Sequence, residues 1–84
     1  MSYSIEILRA AQKQLSKIDQ TNQHRIIDAI RGLAVDPRPS GCKKLSGRPA
    51  YRLRVGSFRV IYEIHDRQLL VIVVTIGDRK DVYR

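Results

Sequence analysis

The sequence predicts an α+β fold in which a helical hairpin packs on one face of a small antiparallel sheet, in the order β-α-α-β-β-β. Three observations carry that expectation. Residues 10–34 hold two amphipathic helical patterns with a break between them, residues 51–62 alternate with period two around Gly56-Ser57, and residues 69–76 form a nearly unbroken apolar run. At 84 residues the chain has the length of one domain, spanning 1–84, without an internal repeat, low-complexity tract or linker.

The elements follow in order. Residues 3–8 read as a short strand, Tyr3, Ile5 and Ile7 alternating with Ser4 and Glu6. In residues 10–18 the apolar positions Ala11, Leu15 and Ile18 lie four and three apart, which marks one face of a helix. Residues 19–22 break it. A second helix over residues 21–34 aligns Ile26, Ile27, Ile30, Leu33 and Ala34, with Thr21 or Asn22 available as N-cap. Pro37, Pro39 and Gly41 cannot continue that helix and keep the chain in a loop until about Gly47. A hairpin then turns at Gly56-Ser57, and a turn over residues 65–68 leads into the apolar run, which fits a central strand buried on both faces.

Alternation in the hairpin turns a composition bias into a positioned anion site. Tyr51, Leu53 and Val55 share one face with Phe58, Val60 and Tyr62, and that face belongs to the core. The opposite face carries Arg52, Arg54 and Arg59, and a two-residue turn sets Arg54 directly across from Arg59. Like charges so placed cost a sheet about a few tenths of a kcal/mol or more. The face is therefore read as shaped for a polyanion, although a solvated sheet face also accommodates long cations. Past the apolar run, Gly77 allows a turn, Arg79 and Lys80 add cations, and Tyr83 offers a ring for stacking and a hydroxyl.

Composition points the same way. Sixteen Lys and Arg against eight Asp and Glu give a formal net charge of +8 and a pI near 10.3. Such a field attracts nucleic acid, an acidic protein or an anionic surface. No apolar stretch approaches the roughly 20 residues that span a bilayer, and Met1-Ser2-Tyr3-Ser4 lacks the basic and apolar regions of a signal peptide. A cytoplasmic protein without membrane partners is expected. The single cysteine, Cys42, excludes an internal disulfide, and with only His24 and His65 beside it no closed metal site is expected. Both histidines read as surface residues, and Glu63, which alternates onto the arginine face, as the partner of a neighbouring cation.

The run Lys44-Leu45-Ser46-Gly47, the hairpin Tyr51-Arg52-Leu53-Arg54-Val55-Gly56-Ser57-Phe58-Arg59-Val60-Ile61-Tyr62, and the ending Ile76-Gly77-Asp78-Arg79-Lys80-Asp81-Val82-Tyr83 together resemble the RelE/ParE superfamily of bacterial toxins. The pieces stand in the family's order and cover nearly the whole chain. The resemblance implies the family's compact fold and a cognate antitoxin, usually acidic in its toxin-binding segment. It also implies that operator DNA is reached through the antitoxin complex. RelE-like members are ribosome-dependent endoribonucleases that cut messenger RNA in the decoding site, whereas ParE-like members inhibit DNA gyrase. Arg52, Arg54, Arg59, Arg79 and Tyr83 match the RelE-like catalytic positions, and the resemblance favours that branch, with Lys43, Lys44 and Lys80 as further RNA contacts. The alternatives are a ParE-like gyrase inhibitor and a non-catalytic nucleic-acid-binding module.

The chemistry needs neither metal nor cofactor. A 2′-hydroxyl attacks the adjacent phosphorus, and the reaction requires removal of that proton, stabilisation of the charged intermediate and protonation of the leaving 5′-oxygen. Convergent arginines supply donors to phosphate oxygens, and Tyr83 stacks on a base to hold the nucleotide splayed. The sequence departs from the best-known RelE pattern in having arginine, not lysine, at positions 52 and 54. Arginine stays protonated and is a poor general base. Lys44, Lys80 or Tyr83 could take that role, or the ribosome and geometry could make up for its absence.

Overall fold

A computed structural model describes residues 2–78. Five strands and two helices follow one another as β1 (Ser4–Ile7), α1 (Arg9–Ser16), α2 (Gln20–Val35), β2 (Lys43–Lys44), β3 (Ala50–Val55), β4 (Phe58–His65) and β5 (Leu70–Asp78), with a 3-10 turn at Asp66–Gln68. The sheet order is β1-β5-β4-β3-β2.

The α+β class and the helical hairpin agree with the sequence reading, while the sheet departs from it in two ways. It is mixed, because β1 pairs with β5 in parallel, Ile5 beside Val71 and Ile7 beside Val73. A parallel neighbour requires a long crossover, and the two helices and three strands between β1 and β5 supply the connection. The second departure is β2, where Lys43 and Lys44 pair with Arg52 and Tyr51 inside a stretch expected to be loop.

The helices bury most of the stripe that their spacing predicts, Ile27 and Ala34 staying half-buried. Ala11, Ile26 and Leu33 are fully buried, Ile30 nearly so, and Leu15 and Ile18 pack against them. Asp19, and neither Thr21 nor Asn22, caps α2: its carboxylate accepts from the Asn22 backbone N–H at 3.2 Å and from the Asn22 side chain at 2.8 Å. Those two bonds hold the Asp19 carboxyl below its ordinary pKa. Gln23 reaches back to the open end of α1, donating to the carbonyls of Leu15 at 3.0 Å and Ile18 at 2.8 Å.

Beneath the helices lie Val60 and Tyr62 of β4 and Val71, Val73 and Ile76 of β5. The step from 73 to 76 breaks strand periodicity, and the register explains it. Ile61 faces Thr75 and Tyr62 faces Val73, so Val74 is an extra residue that forms a bulge and returns Ile76 to the core. Gln14 of α1 accepts from the Ile76 backbone N–H at 2.9 Å beside this bulge.

Candidate functional site

The face of the sheet turned away from the helices carries the candidate site. Val55 pairs with Phe58, leaving Gly56 and Ser57 as a two-residue turn, and Gly56 takes φ +61°, a left-handed conformation that suits glycine. That turn sets Arg54 against Arg59 and Arg52 against Ile61, as alternation predicts. Lys43 continues the row through its pairing with Arg52. Lys44 pairs with Tyr51, whose ring joins the core, and so stands on the helix side of the sheet, away from the arginines.

The members of this row differ in exposure. Arg54 is exposed and Arg52 half-buried, but Arg59, expected as an open phosphate donor, is only 1% exposed. Its neighbour on the same face, Ile61, is buried at 3%. Arg59 therefore sets a buried positive charge beside Arg54 on the neighbouring strand. Arg79, Lys80 and Tyr83 lie outside the described residues.

Two features escaped the sequence reading. Arg25 of α2 lays its guanidinium against the hairpin turn, where a β-carbon added to Gly56 would sit 3.3 Å from Nη1. It borders an open cleft of about 540 Å³ with Gln20, Thr21 and His24. No local pattern links residue 25 to residue 56. The second feature is a contact on the arginine face, His65 Nε2 lying 3.0 Å from Glu63 Oε1. Alternation put Glu63 on this face beside a cation, and its neighbour there is the histidine two residues on.

The loop leaving α2 is fastened to the other side of the sheet. Arg38 makes a bidentate pair with Asp66, Nη1 to Oδ1 at 3.2 Å and Nη2 to Oδ2 at 2.9 Å, and lies over the Tyr51 ring at 5.4 Å. Tyr51 stacks on Tyr62 with centroids 5.9 Å apart, and the Tyr62 hydroxyl donates to the Pro37 carbonyl at 2.8 Å. Burial, more than its polar neighbours, pushes the Tyr62 phenol upward. Cys42 is a free, half-buried thiol beside it. Among the described residues no cluster of three or more His, Cys, Asp or Glu is gathered for a metal ion, and no helix is long and apolar enough to cross a membrane.

Comparison with known proteins bears on this arrangement. The family described as ParE toxin of type II toxin–antitoxin system, parDE, matches residues 5–83. A putative RelE-like toxin protein of Escherichia coli is 29% identical over 87 residues, covering 99% of this chain and 92% of its own. The putative toxin RelE1 of Methanocaldococcus jannaschii is 28% identical over 88 residues, covering 100% and 98%. Among solved structures, the archaeal RelE–RelB complex from Pyrococcus horikoshii contains a chain that superposes with a TM-score of 0.86 at 24% identity, over 96% of this chain and 99% of that one. In the intact E. coli RelBE toxin–antitoxin complex the match has a TM-score of 0.81 at 24% identity, over 92% and 96%. At such identities these structures show a common fold.

Proposed function

The chain belongs to the RelE/ParE superfamily of toxins from type II toxin–antitoxin systems, and from that premise we propose that it is a ribosome-dependent endoribonuclease that cuts messenger RNA in the decoding site. The observation that carries the reading is the register of the hairpin, which stacks Arg54 on Arg59 and places Arg52 and Lys43 beside them on the helix-free face. A scissile phosphate over this row would meet bidentate donors from Arg54 and Arg52, while buried Arg59 beside them raises the positive potential. Arg79 and Tyr83 complete the proposed site, as an anion clamp and a stacking group. In-line attack by the 2′-hydroxyl would leave a 2′,3′-cyclic phosphate and a 5′-hydroxyl.

The proposed partner is an antitoxin with an acidic toxin-binding segment, in keeping with the RelB-bound state of the P. horikoshii and E. coli relatives and with this chain's charge of +8. Operator DNA would be bound through that complex. We place the protein in the cytoplasm, where ribosomes and message are found.

The test is primer extension on a defined message carried by purified ribosomes, repeated without ribosomes and with Arg54→Ala and Arg79→Ala. Ribosome-dependent cuts within the decoding-site codon, weakened about 10²-fold or more in each variant, are expected. Intact message in every lane overturns the reading. The ParE description of the matching family makes gyrase inhibition the second reading, and loss of DNA supercoiling with message intact would establish it.

A further inference from the structure

We propose that Glu63 and His65 are the general base and general acid of the cleavage reaction, an assignment that rests on the nuclease reading above. Arginine at positions 52 and 54 is a poor acceptor for the 2′-hydroxyl proton, which leaves the proton-transfer roles open to other groups on the same face. Among the described residues β4 supplies them. Glu63 is the next residue after Ile61 on this face, and Ile61 pairs with Arg52, so Glu63 is the diagonal neighbour of Arg52, with about 7–8 Å between backbones. Directly opposite Glu63 stands Ala50, whose side chain is a single methyl group.

The pair is reachable and chemically matched. The Glu63 and His65 side chains are 36% and 40% exposed, and their contact at 3.0 Å holds the carboxylate against the ring. Residues two apart on one strand have β-carbons about 7 Å apart, so the two side chains can part to admit a phosphodiester between them. Arg52 would then hold a phosphate oxygen from β3. Glu6 reaches the same row from β1, through its pairing with Ile72 and that of Ile72 with Glu63, and Asp66 follows His65 in the chain. The Asp66 carboxylate is turned to Arg38 and Tyr3.

In the step itself, the Glu63 carboxylate takes the 2′-hydroxyl proton as the 2′-oxygen forms its bond to phosphorus. The bond from phosphorus to the 5′-oxygen breaks, and that oxygen takes the proton of the His65 imidazolium. Glu63 is left protonated and His65 neutral, and exchange with water resets both.

Single-turnover cleavage of ribosome-bound message is measured for the wild type, Glu63→Gln and His65→Ala across pH, with ribosome binding followed by co-sedimentation. A second message carries sulfur in place of the bridging 5′-oxygen, a leaving group that needs no protonation. The expected result is a rate lowered about 10²-fold or more in both variants with binding retained. The acid limb of the pH profile is lost in Glu63→Gln and the alkaline limb in His65→Ala, and His65→Ala cleaves the sulfur-bridged message near the wild-type rate. Variants as fast as the wild type, or a His65→Ala defect equal on both messages, overturn the assignment while leaving the nuclease reading intact. A wild type that leaves message uncut overturns both.

Discussion

Asp66 takes bonds from both terminal nitrogens of Arg38 and, at 2.7 Å, from the Tyr3 hydroxyl. Arg38, ahead of Tyr3, pulls its pKa down to about 2. A carboxyl whose pKa falls on folding stabilises the fold above its unfolded value, near 3.9, and loses that contribution as pH drops toward 2. Asp66→Asn is therefore expected to lower the urea midpoint at pH 7, with the gap to wild type closing between about pH 4 and pH 2. A gap independent of pH would show that packing, and not charge, holds the loop. At Gly56 the backbone rather than a side chain decides. A β-carbon would meet Arg25 and force an L-residue into the left-handed region at φ +61°, so Gly56→Ala should cost about 1–2 kcal/mol in urea unfolding. The sequence announced this turn, because Gly-Ser sits between two alternating runs. It could not announce the burial of Arg59, since nothing local marks which part of an outer sheet face is covered.

At the scale of elements, local period was readable wherever one face was apolar and the other polar. That rule recovered both helices, the hairpin and its register. It failed in β5, where Leu70 to Ile76 is apolar on both faces and one extra residue leaves no trace in the pattern. It failed at β2, two lysines long, which exists only because β3 offers an edge. The cap of α2 was misplaced because Asp19, Thr21 and Asn22 are all good capping types within four positions. The bulge yields a sharp expectation. Deleting Val74 would leave Val73 opposite Tyr62, Thr75 opposite Ile61 and Ile76 opposite Val60 in unbroken alternation, with Ile76 still on the core face. Such a protein should keep its cooperative unfolding transition and its dispersed amide NMR spectrum, whereas deleting Val74 and Thr75 together, which turns Ile76 to the opposite face, should lose both. A Val74 deletion variant that fails to fold would mean that the bulge itself is needed to position the core.

Across the whole molecule, charge works against compactness. Arg9, Lys13 and Lys17 recur every fourth residue along α1 and the residue that follows it, all exposed, and α1 contains no acid. Like charges at that spacing cost a helix about 0.2–0.5 kcal/mol per pair, and a positive charge at a helix N-terminus also opposes the macrodipole. Arg54 opposite Arg59 adds about a few tenths of a kcal/mol more. The molecule measures 33 × 27 × 25 Å, so at about 0.01 M salt, where the Debye length is roughly 30 Å, every cation feels most of the others, while at 0.15 M it is about 8 Å and only neighbours interact. Relief of about 1 kcal/mol of repulsion corresponds to about 4–8 °C in Tm for a domain of this size. The free protein should therefore melt several degrees higher in 0.15 M than in 0.01 M sodium chloride, and Lys13→Gln, which removes the middle charge of the α1 series, should start higher and rise less. A Tm that falls as salt is added would show that attractive pairs such as Arg38 with Asp66 outweigh the repulsion, and that the basic surfaces can be assembled without loss of stability.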